Sequence, residues 1–82
     1  MYKNYGPDGR HNLCGKRVRE LRKRMKPTVS QRALADMLQL AELDVDKNAV
    51  QRIESGKRFV TDIELKALAQ VLGVTVEELL NS

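Results

Sequence analysis

The sequence predicts an all-α domain built from five short helices. Apolar residues recur at spacings of three and four positions, which is the period of an amphipathic helix. Residues that favour helix starts precede several of these segments, and glycine or proline follows them. Aromatic residues make up only 4% of the chain and tryptophan is absent, so the residue types that favour strands are scarce. A chain of 82 residues is expected to form one domain.

The first helix is predicted over residues 13–25. Val18, Leu21 and Met25 fall on one stripe at positions i, i+3 and i+7. Pro27 ends this helix, because the residue before a proline is disfavoured in helical conformation.

The second helix is predicted to begin after Ser30, a favoured N-cap residue, and to run to about Gln39. A connector over residues 40–44 follows. Leu40 and Leu43 either extend the helix or fill the core from a loop.

The third helix is predicted over residues 46–55. Asp44 or Asp46 serves as its N-cap, and Gly56 fits a left-handed residue that stops it.

The fourth helix begins with a capping box formed by Thr61 and Glu64, and it ends at Gly73. The fifth helix repeats the same device from Thr75. Residues 13–82 are thus assigned to the folded domain.

Residues 1–12 are predicted to form a flexible N-terminal arm. Gly6, Pro7 and Gly9 are turn-forming residues, and the segment shows no apolar period.

The charges of this chain are unevenly distributed. The formal net charge is +4, and seven basic residues lie between positions 16 and 26 against one acid, Glu20. From position 61 onwards, four acids stand against one base, Lys66. A strongly positive end favours a polyanionic partner such as nucleic acid, although the basic run could equally be a solvated helix face.

Composition excludes several other classes of protein. With one cysteine, Cys14, and one histidine, we expect no internal disulfide, no metal site and no cofactor. No apolar stretch approaches the ~20 residues of a membrane span, and no signal peptide is visible. Paired carboxylates on one face and glycine-rich phosphate loops are lacking, so an enzyme is not expected. These features favour a cytoplasmic protein.

Two opposite charges lie on inward helix faces. Arg22 shares the stripe of Val18 and Leu21, and Glu54 lies at i+4 from Val50 in the third helix. Burying either charge alone would be costly, so the pattern predicts one buried ion pair. The alternative is that both side chains reach solvent at the edges of their stripes.

The outward face of the third helix carries a set of polar side chains suited to reading DNA bases. Arginine and lysine donate to guanine, and asparagine and glutamine pair with adenine. On its own, this set could also be an ordinary polar surface. Its members are Lys47, Asn48, Gln51 and Arg52.

Segments along most of the chain resemble the phage-repressor and Cro family, also called the lambda-repressor-like or XRE family. The resemblance covers residues 13–80 and lies in Val18-Arg19-Glu20-Leu21-Arg22, Ser30-Gln31-Arg32-Ala33-Leu34-Ala35, the run from Val45 to Lys57, and the run from Leu68 to Leu80. It implies a helix-turn-helix domain that binds double-stranded DNA.

The resemblance also implies roles at matching positions. Lys47, Asn48 and Arg52 would face bases in the major groove, with Asp46 and Gln51 at the margin. The positions implied to meet the DNA backbone are Gln31, Arg32, Lys57 and Arg58. Arg22 and Glu54 match the family's buried ion pair.

Two features depart from the family pattern. The connector between the second and third helices is longer than the usual tight turn, and residues 27–29 lengthen the preceding step. The arm also lies outside the pattern, and its Lys3, Arg10 and His11 could follow a groove.

Taken together, the sequence predicts a sequence-specific DNA-binding transcription regulator, acting as a repressor and binding as a homodimer. Val76, Leu79 and Leu80 are candidates for the dimer contact, or else belong to the core. The alternative function is a protein-interaction module, such as an antitoxin or anti-repressor, built on the same fold.

Overall fold

The computed structural model describes residues 12–80, which form five helices and no β-strand. The prediction of an all-α fold with five helices is confirmed. The helices are α1 (Gly15–Arg24), α2 (Gln31–Leu40), α3 (Lys47–Glu54), α4 (Asp62–Leu72) and α5 (Val76–Leu80).

The core is made almost entirely of aliphatic side chains contributed by all five helices. Fully buried residues include Val18 of α1, Leu38 of α2, Ile53 of α3, Leu68 of α4 and Leu79 of α5. Burying each such side chain contributes about 1.5–3 kcal/mol through the hydrophobic effect. Within this core, α3 packs mainly against α1 and α2.

The first helix is shorter than predicted and begins at Gly15 rather than at residue 13. Asn12 Oδ1 accepts a hydrogen bond of 2.8 Å from Gly15 N, and Leu13 and Cys14 form a bend before the helix. Asn12 was assigned to the arm, but it is fully buried, so the folded domain includes it. The rest of the predicted arm, residues 1–11, lies outside the described residues.

Three of the helices end in the same hydrogen-bond pattern. After α2, α3 and α4, one residue in the left-handed region reverses the chain, and the next N–H bonds five residues back, as in the Schellman motif. Those N–H donors are Leu43, Lys57 and Val74, bonded to the carbonyls of Leu38, Arg52 and Ala69. The left-handed residues are Glu42, Gly56 and Gly73.

The long connector between α2 and α3 is ordered and anchored in the core. Leu40 is the last residue of α2 and is 86% exposed, so it does not fill the core, whereas Leu43 packs against the core from the loop. Val45 is buried, and its carbonyl accepts a bond of 2.8 Å from Gln39 Nε2. The lengthened connector thus retains a fixed path into α3.

The apolar residues of α5, which the sequence assigns either to a dimer contact or to the core, pack against the core. Leu79 is fully buried, and Val76 and Leu80 are half-buried against the same core. These contacts hold α5 in place, while Val76 and Leu80 keep part of their surface exposed. None of the described helices is long and apolar enough to cross a membrane.

Candidate nucleic-acid interface

The helix α3 has one apolar face and one polar face. Val50 and Ile53 are 1% exposed and point into the core. The opposite side of the helix is exposed, and the spacing of its residues places them on one surface. These residues are Lys47, Asn48, Gln51 and Arg52. All four sequence-predicted base-reading side chains are therefore brought together on one face of a single helix.

Asp46 is the N-cap of α3. Its Oδ1 accepts a hydrogen bond of 2.8 Å from Ala49 N, which satisfies one of the free N–H groups at the helix start. The Asp46 carboxylate, predicted at the margin of the base-reading set, thus bonds to the backbone of α3. The sequence left Asp44 and Asp46 as alternative caps, and the structure selects Asp46.

The buried charges Arg22 and Glu54 meet between α1 and α3. Arg22 Nε donates to Glu54 Oε2 at 2.7 Å, and Arg22 Nη2 donates to Glu54 Oε1 at 3.0 Å. The two residues are 8% and 6% exposed. The paired geometry matches the planar fork of a guanidinium to a carboxylate.

The surroundings keep Arg22 positively charged. The hydrogen bond to Glu54 raises the pKa of Arg22, burial opposes this shift, and the charge of Glu54 adds to the rise. A third donor, Arg22 Nη1, bonds to the carbonyl of Val29 at 2.9 Å. The pair therefore fixes the segment before α2 as well as α3.

Gln31, the first residue of α2, also bonds to this pair. Its Nε2 donates to Glu54 Oε1 at 3.1 Å, and the residue is half-buried. We predicted that this side chain binds a DNA phosphate. In the structure one of its two amide hydrogens serves Glu54, so at most the other is left for a phosphate. Arg32, the next residue, is exposed.

The loop after α3 carries the other two predicted phosphate contacts, Lys57 and Arg58, which differ in exposure and in their partners. Lys57 is exposed. Arg58 Nη2 lies 2.7 Å from Glu64 Oε2 of α4, and its side chain is 30% exposed. The positive charge of Arg58 thus has a partner within the domain, whereas Lys57 is the more exposed of these two predicted phosphate contacts.

Basic residues of α1 border the polar face of α3. One cleft between these helices is lined by Arg19, Lys23, Gln31 and Gln51, together with the Arg22–Glu54 pair and Ser55. A neighbouring cleft adds Lys16. The positive surface of α1 is therefore continuous with the edge of the polar face of α3.

Sequence reasoning missed one residue near this surface, Asn12. Its Nδ2 donates to the carbonyls of Ile53 and Arg58, at 3.1 and 2.7 Å. An asparagine shortly before a predicted helix is a capping signal that could have identified its bond to Gly15. No local pattern indicates the two carbonyls, because they lie far along the chain.

Comparison with known proteins identifies the same architecture. Residues 18–79 match the helix-turn-helix family. A curated relative, the control protein C.MunI of Mycoplasma sp., is 35% identical over 65 residues, which cover 79% of this chain and 80% of the relative. No solved structure matches the chain.

Proposed function

Because this chain belongs to the helix-turn-helix family of DNA-binding transcription regulators, we propose that it recognises an operator through the polar face of α3. An α-helix fits the major groove of B-form DNA, where each base pair presents a distinct set of donors and acceptors. Lys47, Asn48, Gln51 and Arg52 are the side chains that read this set. Occupation of the operator then controls transcription, in its simplest form as repression.

The observation that carries this proposal is the combination of an exposed polar face with a rigid support. The four reading side chains stand on a helix whose other face is buried in the core and whose last residue, Glu54, is held by Arg22 and Gln31. Base reading needs side chains that are already held in place. If the helix were mobile, the free-energy cost of ordering it on binding would cancel much of the energy of its contacts.

Cations beside α3 supply the sequence-independent part of the affinity. Lys57 follows the helix, Arg32 lies at the start of α2, and Arg19 and Lys23 border the cleft next to Gln51. Neutralising phosphates releases counterions, so these residues make binding strongly dependent on salt.

The protein acts as a homodimer on two half-sites about one helical turn apart, which is the usual arrangement for this class of domain. The apolar surface available for a second copy is a stripe on α4 and the turn after it. Ile63 is 70% exposed, and Ala67, Val71 and Val74 continue the stripe at helical spacing with part of their surface free. We name these four residues the α4 stripe.

This role requires neither a cofactor nor catalysis, and it places the protein in the cytoplasm with its DNA. Its lone cysteine is buried in the core, where it packs rather than reacts. Its polar face suits recognition of base edges.

Methylation interference tests the proposal. A site is first selected from random double-stranded DNA, and guanines in it are then methylated at N7, which lies in the major groove. We expect methylation within the selected half-sites to abolish binding, while adenine methylation at N3 in the minor groove has little effect. Binding that is blocked only from the minor groove would reject α3 as the reading element.

A further inference from the structure

The side chain of Asn12 joins three separate parts of the domain. It is fully buried, its Oδ1 accepts from Gly15 N, and its Nδ2 donates to the carbonyls of Ile53 and Arg58. Both hydrogens of the amide are therefore used, and each bond is within the normal range of length. A single side chain links the start of α1, the end of α3 and the loop after α3.

The loop that Asn12 contacts is the loop that carries Lys57. Lys57 N donates to the carbonyl of Arg52 at 2.9 Å, closing the Schellman motif of α3. The carbonyl of the next residue, Arg58, is held by Asn12 at 2.7 Å. The backbone of Lys57 is thus fixed on both sides, while its side chain is exposed.

The far side of the loop is also restrained. The guanidinium of Arg58 bonds to Glu64, and Glu64 in turn completes the capping box of α4 with Thr61. The Asn12 bonds connect this loop to the start of α1. Without them, the partly buried carbonyl of Arg58 would lose its Asn12 partner, and the segment would shift to recover one.

We propose that Asn12 is a positioning residue for DNA binding, which holds the loop of Lys57 so that its ammonium group meets a phosphate beside the base-reading helix. This inference rests on the proposed function, because it assumes that Lys57 contacts the DNA backbone. Asn12 itself is buried and touches no DNA. Its effect passes through the backbone of residues 57 and 58.

A double-mutant cycle between Asn12 and Lys57 tests the inference. Asn12→Ser keeps an oxygen that can accept from Gly15 N but replaces the two amide N–H donors with one hydroxyl on a shorter side chain, which cannot hold both distant carbonyls. Affinity for a selected DNA site is measured across a range of salt concentrations for the wild type, Asn12→Ser, Lys57→Ala and the double variant. All measurements are made at a temperature where circular dichroism shows each variant folded.

In the wild type, Lys57→Ala should reduce the log–log salt slope by about 1, the amount for one lost phosphate contact. In the Asn12→Ser background, the slope is already reduced, and Lys57→Ala should change it little further. A merely structural loss of stability cannot produce this coupling. Thr75→Ala provides the control, because it removes the cap that Thr75 Oγ1 gives to Glu78 N in α5 and leaves the loop intact.

The outcomes separate this inference from the proposed function. If Lys57→Ala shifts the slope equally in the wild-type and Asn12→Ser backgrounds, Asn12 does not position Lys57, and the proposed function stands. If Lys57→Ala leaves the wild-type slope unchanged, the phosphate contact of Lys57 is absent and this inference fails, whereas the proposed function fails only if no DNA site can be selected. In the Thr75→Ala background, Lys57→Ala should retain its full effect.

A measurement on the unmodified protein covers the case in which Asn12→Ser does not fold. The amides of Lys57 and Arg58 should show NMR order parameters near 0.85, the value typical of rigid backbone. Values below about 0.6, typical of a flexible loop, would overturn the inference.

Discussion

At the scale of single residues, the polar groups that hold α3 are more connected than the sequence indicates. Helical spacing places Arg22 and Glu54 on inward faces, and the structure brings them together. Spacing does not reveal that Gln31 and the carbonyl of Val29 join the same cluster, because these partners come from the chain between α1 and α2. Local patterns specify the face on which a residue lies, whereas its third and fourth partners depend on tertiary packing.

Removing one partner of the buried pair should unfold the domain. We expect Glu54→Ala to lower the free energy of unfolding by about 3–5 kcal/mol, because Arg22 would be left as an unpaired buried charge. Stabilities of small domains are of order 5 kcal/mol, so DNA binding should be lost with the fold. Urea titration followed by circular dichroism measures the loss.

Two further variants sharpen this test. The double change Arg22→Met with Glu54→Leu should recover much of the stability, although Val29 and Gln31 still lose partners. Glu20→Ala breaks an ion pair at the surface, in which the side chain of Arg17 is 25% exposed and that of Glu20 is 50% exposed. It should lower the free energy of unfolding by at most about 1 kcal/mol. Similar losses for Glu54→Ala and Glu20→Ala would show that burial gives the Arg22–Glu54 pair no special role.

At the scale of helices, the sequence predicts the N-terminal ends of helices better than the hydrogen bonds that join one helix to another. Ser30 caps α2, and Thr61 and Glu64 form the predicted capping box, because these signals act within a few residues. The sequence does not indicate the partners of Arg58 and Asn12, because Glu64 and the carbonyl of Ile53 meet them only once the helices pack. The same limit hid the end of α2, where Glu42 occupies a position that favours glycine.

Glu42 is a site where the domain can be stabilised. Its φ is 67°, in the left-handed region that costs residues with a β-carbon about 1–2 kcal/mol. Gly56 and Gly73 occupy the equivalent positions after α3 and α4. Glu42→Gly should therefore raise the free energy of unfolding by about 1 kcal/mol, and the melting temperature by about 4–8 °C for a domain of this size.

The matched control for this change is Glu42→Ala, which keeps the β-carbon and removes only the charge. A negative charge at a helix C-terminus is unfavourable by about 0.3–1 kcal/mol, and less when exposed to salt. Thermal melts in high salt should show a gain for glycine and almost none for alanine. Equal gains for both variants would mean that charge, rather than backbone conformation, sets the cost at this position.

At the scale of the whole molecule, charge and apolar surface are separated. Basic residues on α1 and after α3 lie beside the base-reading face, whereas α4 and α5 carry the acids and the α4 stripe. The uneven charge distribution along the sequence anticipated this division. The stripe was not anticipated, because Ile63 falls in the first turn of α4 and only packing shows which apolar residues remain outside the core.

The proposed homodimer should depend on the α4 stripe. Placing a carboxylate at its most exposed residue would bury a charge against a second copy, so Ile63→Asp should shift sedimentation equilibrium towards monomer and weaken binding to paired half-sites. Leu40→Asp is the matched control, since Leu40 is the other large apolar side chain found exposed within residues 12–80. A dimer lost through Leu40→Asp and retained with Ile63→Asp would place the contact at the end of α2.

The central claim, that α3 reads bases, is tested most directly by Asn48→Ala. The variant and the wild type are titrated with the selected operator and with random DNA at one salt concentration, and Gln70→Ala on the exposed face of α4 serves as the control. We expect Asn48→Ala to lose about 1–3 kcal/mol on the operator and little on random DNA, so that its specificity ratio falls. Gln70→Ala should match the wild type on both. An Asn48→Ala protein that binds its operator as tightly as the wild type would contradict the assignment of α3 as the reading helix.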